Sequence, residues 1–230
     1  MQRFDQRFLQ DMKQRLELEL LGVAQLGEST AVKVKQDAET LLPGATAVIV
    51  LGKEIYQEVV SLLKPSKEAG EAEAGALLNP HYTYLNGRLT KAIYDMAKLF
   101  RNQGFRALPL PPSGIPTDQR TLVSIFSYKH AAVSAGLGTI GRSGLLITRK
   151  FGPRVRLCAL LTDAPLEQSP VPQESYCKDC HACIRVCPAH ALETPNDGEF
   201  YSINKFACRS YRGVGFTCSM CMKVCQSGQN

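Results

Sequence analysis

The sequence predicts a mixed α/β (α+β) protein in two parts: a larger domain of helices and strands, then a small cysteine-rich domain. Three observations carry this. Helix-spaced apolar residues alternate with short β-branched runs over the first two thirds of the chain. Eight of the nine cysteines fall between Cys177 and Cys225. Just before them, "DAPLEQSPVPQ" (163–173) carries three prolines and no periodic pattern, and reads as a linker. The boundary is placed inside it, giving domains of residues 1–168 and 169–230.

Each element follows from its local pattern. Residues 2–21 read as one amphipathic helix, with Phe4, Phe8, Leu9, Met12, Leu16 and Leu20 at helical spacing. "TAVIVLG" (46–52) follows Pro43-Gly44 and is a buried strand. "IYQEVVSLL" (55–63) is helical up to Pro65, and "KEAGEAEAGALL" (67–78), small, acidic and glycine-broken, is a surface segment. A long helix runs from about Pro80 to Phe100 and is closed by Gly104. "FRALPLPPSGIP" (105–116) is a strand entering a proline-rich loop, and "SYKHAAVSAGLG" (127–138) a short helix ending on glycine. "LLIT" (145–148) and "RVRLCALLT" (154–162) flank "RKFGP" and read as two strands joined by a turn.

Composition narrows the setting. No apolar run reaches the roughly 18 residues of a membrane span, and the N-terminal stretch lacks a signal peptide's apolar core. A cytoplasmic protein with no membrane partner is expected. Without a secretion signal, nine cysteines point to metal or cluster binding rather than to disulfides.

The cysteine spacing is specific. "CKDCHACIRVCP" is C-x2-C-x2-C-x3-C-P, formed by Cys177, Cys180, Cys183, Cys187 and Pro188. This is the bacterial ferredoxin spacing, in which three thiolates wrap one 4Fe-4S cubane and the fourth serves another. The second run, Cys218, Cys221 and Cys225, is one ligand short, and Cys208 completes it. Cluster one is thus assigned Cys177, Cys180, Cys183 and Cys225, and cluster two Cys187, Cys208, Cys218 and Cys221. Paired zinc sites are the competing reading, but zinc ribbons separate two C-x2-C knuckles by a longer loop. Two oxidised clusters at about −2 each would bring the formal charge of +6 to about +2, so the basicity partly offsets the clusters. Cys158, in an apolar strand, reads as a buried structural thiol.

"GLGTIG" (136–141) matches a dinucleotide fingerprint, but a helix precedes it and a strand follows, the reverse of the order that motif needs. Gly136, Gly138 and Gly141, with Arg142, are candidate cofactor-binding residues, since glycine lets a backbone approach a bulky ligand. Tight helix-to-strand packing would use the same freedom. From Gln119 to Thr162 there is no Asp or Glu, whereas Arg120, Lys129, His130, Arg142, Arg149, Lys150, Arg154 and Arg156 all lie there. That suits an anionic cofactor, substrate or acidic partner, or simply a solvated face. His130 and Tyr128 are the candidate catalytic proton donors, set against a packing role for the same pair. His81 with Tyr82 and Tyr84 is a weaker group.

"AGLGTIGRSGLLITRKFGPRVRLCALLTDAPLE" followed by the two cysteine runs resembles the epoxyqueuosine reductase family, and the core is similar to cobalamin-dependent reductive dehalogenases. The resemblance runs from about Pro43 to Cys225. It implies a nitroreductase-like antiparallel-sheet domain that binds cobalamin (a corrinoid), fed with electrons by a ferredoxin-like domain holding two 4Fe-4S clusters. The eight cysteines match the family's cluster ligands in order. Two family features are missing. The acidic proton donor upstream of the glycine segment has no counterpart in "TLVSIFSYKHAAVSAGLG", and Gln226 stands where a proline usually follows the final cysteine. The family's C-terminal helical-repeat extension, associated with tRNA binding, is not in this sequence, so tRNA is not an expected partner. The expectation is an oxidoreductase that takes electrons from a donor such as ferredoxin or flavodoxin and passes them through both clusters to a small-molecule cofactor or substrate. The alternative is a non-catalytic electron-transfer or interaction module that kept its clusters and lost its active site.

Overall fold

The computed structural model describes residues 4–27, 30–64, 74–178, 180–213 and 218–228. In chain order its first elements are α1 (Gln6–Arg15), β1 (Leu20–Gln25), α2 (Val32–Leu41), β2 (Ala47–Glu54), α3 (Gln57–Ser61) and α4 (Leu78–Asn102). Then come β3 (Ala107–Leu110), β4 (Thr117–Asp118), β5 (Val123–Ser124), α5 (Tyr128–Ser134), β6 (Thr139–Ile140), β7 (Leu146–Ile147) and β8 (Val155–Thr162). The cysteine-rich part holds α6 (Ala182–Arg185), β9 (Leu192–Glu193), β10 (Ser202–Ile203), α7 (Lys205–Gly213) and α8 (Met220–Lys223). Of "KEAGEAEAGALL", residues 67–73 lie outside the described residues, and Ala74–Leu77 form a 3-10 turn leading into α4. Among the described residues no helix is long and apolar enough to cross a membrane.

The chain divides into two compact units that interleave in sequence. The first comprises Met1–Lys53, Leu85–Gly138 and Arg156–Gln173; the second comprises Glu54–Tyr84, Thr139–Val155 and Glu174–Asn230. Two stretches on the N-terminal side of the 168/169 cut therefore group with the cysteines.

The first unit is built on a four-stranded sheet of order β1-β2-β8-β3. β1 pairs antiparallel with β2, Leu20 opposite Gly52 and Gln25 opposite Ala47; β3 pairs antiparallel with β8, Ala107 opposite Thr162. One sheet face presents Val23, Ile49, Leu51, Cys158 and Leu160 to α1 and α4. Helix α4 brings Leu89, Ile93, Met96 and Phe100, successive steps of four, three and four residues, which is one helical face. Helix α1 brings Phe8, Leu9 and Met12, with Phe4 just ahead of it. The Phe4 ring lies 5.1 Å from Phe8 and 4.9 Å from Phe100. Asp5 caps α1 by accepting the Phe8 N–H at 3.0 Å. Burying aromatic side chains of this size contributes roughly 2–3 kcal/mol each. On β1, Gly22 admits α5: a Cβ there would lie 2.4 Å from the Ala135 carbonyl oxygen.

Three sequence expectations are corrected or refined here. The single helix over 2–21 stops at Arg15. Glu17 takes a left-handed φ of +51°, Leu18 is buried, and Leu20 begins β1. The Leu16-x-Leu18-x-Leu20 alternation satisfies a period of two as well as a helical one, and pairing with β2 decides between them. Second, "LLIT" and "RVRLCALLT" do hold two strands joined by a turn, as expected, and the two strands do not pair with each other. β7 pairs with β6, β8 pairs in the main sheet, and the turn between them is closed by a Thr148–Gly152 bridge. Third, the proline-rich segment is not a free tether. The Ser169 hydroxyl and the Gln168 side-chain carbonyl accept the N–H groups of Val23 and Gln25, each at 2.9 Å, along the open edge of β1. The Ser169 N–H donates back to the Val23 carbonyl at 2.9 Å, but prolines cannot donate to a ladder, so side chains supply other bonds and no strand pattern marks the segment.

Candidate metal centre

The eight clustered cysteines all lie in the second unit. Short C-x2-C spacing turns the chain into single-turn helices: Cys183 is on α6, Cys221 on α8 and Cys208 on the longer α7. His181, which precedes α6, takes a left-handed φ of +55°, and that bend separates Cys180 from Cys183. The Ala191 N–H donates to the Cys187 sulfur at 3.3 Å.

The thiols fall into two electrostatic neighbourhoods. Cys183 and Cys225 are each within interaction range of Cys177 and Cys180. Cys208 is in range of Cys218 and Cys187, and Cys221 in range of Cys218, Cys208, Cys183 and Cys187. The first group takes three members from the first run and the x3-spaced Cys225 of the second; the other takes Cys218 and Cys221 of the second run, Cys208, and the x3-spaced Cys187 of the first. The Cys221–Cys183 approach links the groups. Burial, more than the neighbouring sulfurs, pushes Cys221 up to about 12 and raises Cys183, Cys208 and Cys225. Gathering four thiolates here is unfavourable without a cation between them. Among the described residues no three Cys, His, Asp or Glu side chains converge on a point that would hold one metal ion. A donor set of thiols alone suits zinc or an iron–sulfur cluster.

A cavity in this unit is lined by Cys177, Cys180, Cys183, Cys221 and Cys225 together with Gly141 and Arg142. A Cβ on Gly141 would sit 3.7 Å from the Cys177 sulfur and 2.7 Å from Ile147. These two members of the glycine segment thus lie at the thiols. Gly136 and Gly138 belong to the first unit. Gly136 has φ +75°, and a Cβ there would lie 1.9 Å from the Pro170 carbonyl oxygen, so packing alone demands a glycine. Gly138 is buried. A helix precedes "GLGTIG" and a strand follows it, as the sequence order indicated.

The candidate acids each have a partner. The Tyr128 hydroxyl donates to the Pro111 carbonyl at 2.6 Å, and burial raises its pKa. His130 Nδ1 lies 2.9 Å from the Ser127 hydroxyl, and burial, then Lys129 and Lys33, lower its pKa. His81 accepts the Tyr56 N–H at 3.1 Å and is also lowered, chiefly by burial. Within the basic stretch, Arg156 donates to Asn86 and to the Pro112 carbonyl, and Arg154 to Glu54. Cys158 is fully buried, its sulfur 3.8 Å from the Leu89 carbonyl. Sequence reasoning missed Ser227, whose N–H and side chain are within hydrogen-bonding reach of the Cys225 sulfur. Its position two residues past a ligand was the one available signal.

No family model matches the chain. It is 28% identical over 187 residues to a tetrachloroethene reductive dehalogenase of Desulfitobacterium hafniense, which covers 73% of this chain and 32% of that protein. It is 36% identical over 88 residues to an epoxyqueuosine reductase of Pseudomonas aeruginosa, covering 38% of this chain and 23% of that protein. Among solved structures, a reductive dehalogenase described with a mechanism for B12-dependent dehalogenation superposes with a TM-score of 0.70 at 18% identity, over 96% of this chain and 32% of that one. The epoxyqueuosine reductase of Streptococcus thermophilus gives 0.62 at 17% identity, over 97% and 66%. An epoxyqueuosine reductase holding a modified tRNA stem loop gives 0.61 at 15%, over 97% and 66%. The chain spans about a third of the length of the dehalogenase relatives it matches. It is a relative of epoxyqueuosine reductases and reductive dehalogenases, similar to both in sequence and sharing their fold.

Proposed function

We propose that this chain is an iron–sulfur oxidoreductase whose second unit holds two 4Fe-4S clusters in a ferredoxin-like arrangement. The observation that carries the reading is the partition of eight thiols into two exchanged groups of four. When bound, such a cluster supplies a one-electron relay, with a potential set by charge, burial and hydrogen bonds to its sulfurs. Cys177, Cys180, Cys183 and Cys225 hold cluster one; Cys187, Cys208, Cys218 and Cys221 hold cluster two. The Cys183–Cys221 interaction joins the two groups and is the proposed route for electron passage. A corrinoid is the proposed acceptor, on the strength of the B12-dependent relative and the shared fold. Gly138 remains its candidate contact, whereas Gly136 is accounted for by Pro170.

The proposed electron donor is a small acidic redox protein. Lys205, Arg209 and Arg212 on α7 are exposed and form no ion pair among the described residues, and Phe206 beside them is half exposed. Some other surface cations are matched within a few residues, such as Arg15 with Asp11, Lys33 with Asp37 and Lys91 with Asp95. This basic face lies on the helix that carries Cys208, and Arg212 acts on that thiol.

A second reading, an electron-transfer module without catalysis, is favoured by Tyr128 and His130. One has its proton committed to Pro111 and a raised pKa; the other favours the neutral ring at neutral pH. The deciding experiment is anaerobic reconstitution followed by iron and sulfide analysis, then titration with cobalamin. About eight iron and eight sulfide per chain are expected, with a broad absorption that bleaches on reduction. Cobalamin should shift its own spectrum and raise the melting temperature by mass action, and Gly138→Leu should abolish both effects. Stoichiometric zinc without sulfide sinks the cluster reading. Full clusters with no cobalamin response select the second.

A further inference from the structure

The segment after Cys225 is held by a clasp that the cysteine spacing does not announce. Arg154 is a buried arginine, 6% exposed, and its guanidinium is used on two sides. Nη1 donates to Glu54 Oε1 at 2.7 Å and to the Ile55 carbonyl at 3.1 Å; Nη2 donates to the Gly228 carbonyl at 2.8 Å. Beside it the backbones of 151–152 and 227–228 touch directly. A Cβ on Gly152, at φ +53°, would lie 1.8 Å from the Ser227 carbonyl oxygen. One on Gly228, at φ +74°, would lie 2.1 Å from the Gly152 nitrogen. Only glycine fits at both positions. The loop carrying Gly152 is itself fixed, since the buried Thr148 hydroxyl bonds the Gly152 carbonyl at 3.0 Å and the Phe151 N–H at 3.1 Å.

Ser227 completes the clasp. Its hydroxyl donates at 2.7 Å to the carbonyl of Tyr176, the residue immediately before Cys177. Tyr176 N–H in turn donates to Thr139 at 2.9 Å. The clasp therefore joins the residues following Cys225 to the residue preceding Cys177. Those two cysteines come from opposite ends of the cysteine-rich segment and must meet at one cluster.

We propose that Arg154, acting through Gly152, Ser227 and Gly228, is the positioning residue that delivers Cys225 to cluster one. This rests on the two-cluster reading above. Arg154 touches no thiol; it fixes the backbone on which Cys225 is carried. The Ser227 N–H has the further role of a donor to the Cys225 sulfur, the hydroxyl hydrogen being committed to Tyr176. The three bonds need a planar fork reaching both ways, which lysine cannot reproduce.

The test uses the full chain, reconstituted anaerobically, with iron analysis, low-temperature EPR and redox titration of both clusters. Arg154→Met should convert cluster one to a three-iron form and leave cluster two intact. Cys225→Ala should give the same species, and the double variant should lose nothing further, because both changes remove one thiolate. Arg154→Lys should fall between wild type and Arg154→Met. Retention of cluster two with an unchanged far-UV spectrum is the internal control for folding. Ser227→Ala, a milder change that keeps the N–H and removes only the bond to Tyr176, should leave cluster two intact and lower the iron content of cluster one partway toward that of Arg154→Met. A full four-iron cluster one in Arg154→Met overturns the proposal. So does equal loss of both clusters in Arg154→Met, which would make the arginine a general fold contact. Wild-type protein that takes up no iron or sulfide removes the cluster reading and this proposal together, whereas eight iron in wild type with an undisturbed cluster one in the variant removes the clasp alone.

Discussion

Cys208 and Cys158 show what residue-level reading can and cannot reach. Both are single cysteines outside the tight runs, yet one faces three other thiols and the other packs between strand and helix. Cys208→Ala should strip cluster two or leave it with three irons. Cys158→Ala should keep all iron and cost about 1 kcal/mol in a denaturant titration. Iron loss from the Cys158 variant alone would reverse the assignment. The cysteine assignment rests on intervals of two and three residues, a signal that needs no long-range contact to be seen. Arg154 was visible only as one charge among several, since its partner Gly228 lies 74 residues away. Gly136 was half legible: the need for glycine could be read, but not that Pro170 imposes it. Gly136→Ala should destabilise by about 2–3 kcal/mol, seen as a lower melting temperature with cluster content unchanged. Histidines add a pH signature. His81 and His130 both have folded pKa values below 6.5, so the unfolded chain binds more protons. Their contribution is complete above about pH 6.5 and is lost as pH falls below it. A melting-temperature series from pH 7.5 to 5 should fall, and less steeply in a His81→Gln, His130→Gln double variant.

Elements differ in how much periodicity they offer. Helix α4 and strand β2 were readable because each is long enough to repeat its pattern, with Leu89, Ile93, Met96 and Phe100 on one face and Ala47–Lys53 buried throughout. The two-residue strands β4, β5, β6, β9 and β10 have no period to detect, whereas β7 was marked by the apolar run "LLIT"; the first residues of β1 were absorbed into the helix before it. Helix α7 was read only as a cysteine's surroundings, although its face of Lys205, Phe206, Arg209 and Arg212 separates into a basic, aromatic outside and a thiol inside. Lys205→Glu with Arg209→Glu should slow cluster reduction by an acidic flavodoxin about tenfold at low salt and less at high salt. Reduction by dithionite should be unchanged. Stopped-flow absorbance follows both; equal slowing by the two reductants would argue against docking, and an unaltered flavodoxin rate would exclude this face.

At the scale of the whole molecule, two bodies were foreseeable from composition, but not their interleaving. A linear reading places boundaries where composition shifts, as at the prolines before Cys177. Contacts instead draw Glu54–Tyr84 and Thr139–Val155 to the cysteine-rich segment, through bonds such as Lys223 Nζ to the Leu63 carbonyl at 2.6 Å. The clasp between Arg154 and Gly228 therefore has a history during synthesis. Translation proceeds at about 5–20 residues per second, so Arg154 leaves the ribosome roughly 4–15 s before Gly228. In that interval Glu54 and Ile55 are available to its guanidinium, but the carbonyl that completes its set is not. Cys177, Cys180 and Cys183 are likewise out before Cys225. Synthesis in that order exposes three thiols of the proposed first cluster before the fourth, so a growing chain can meet an iron–sulfur donor while that set is still incomplete.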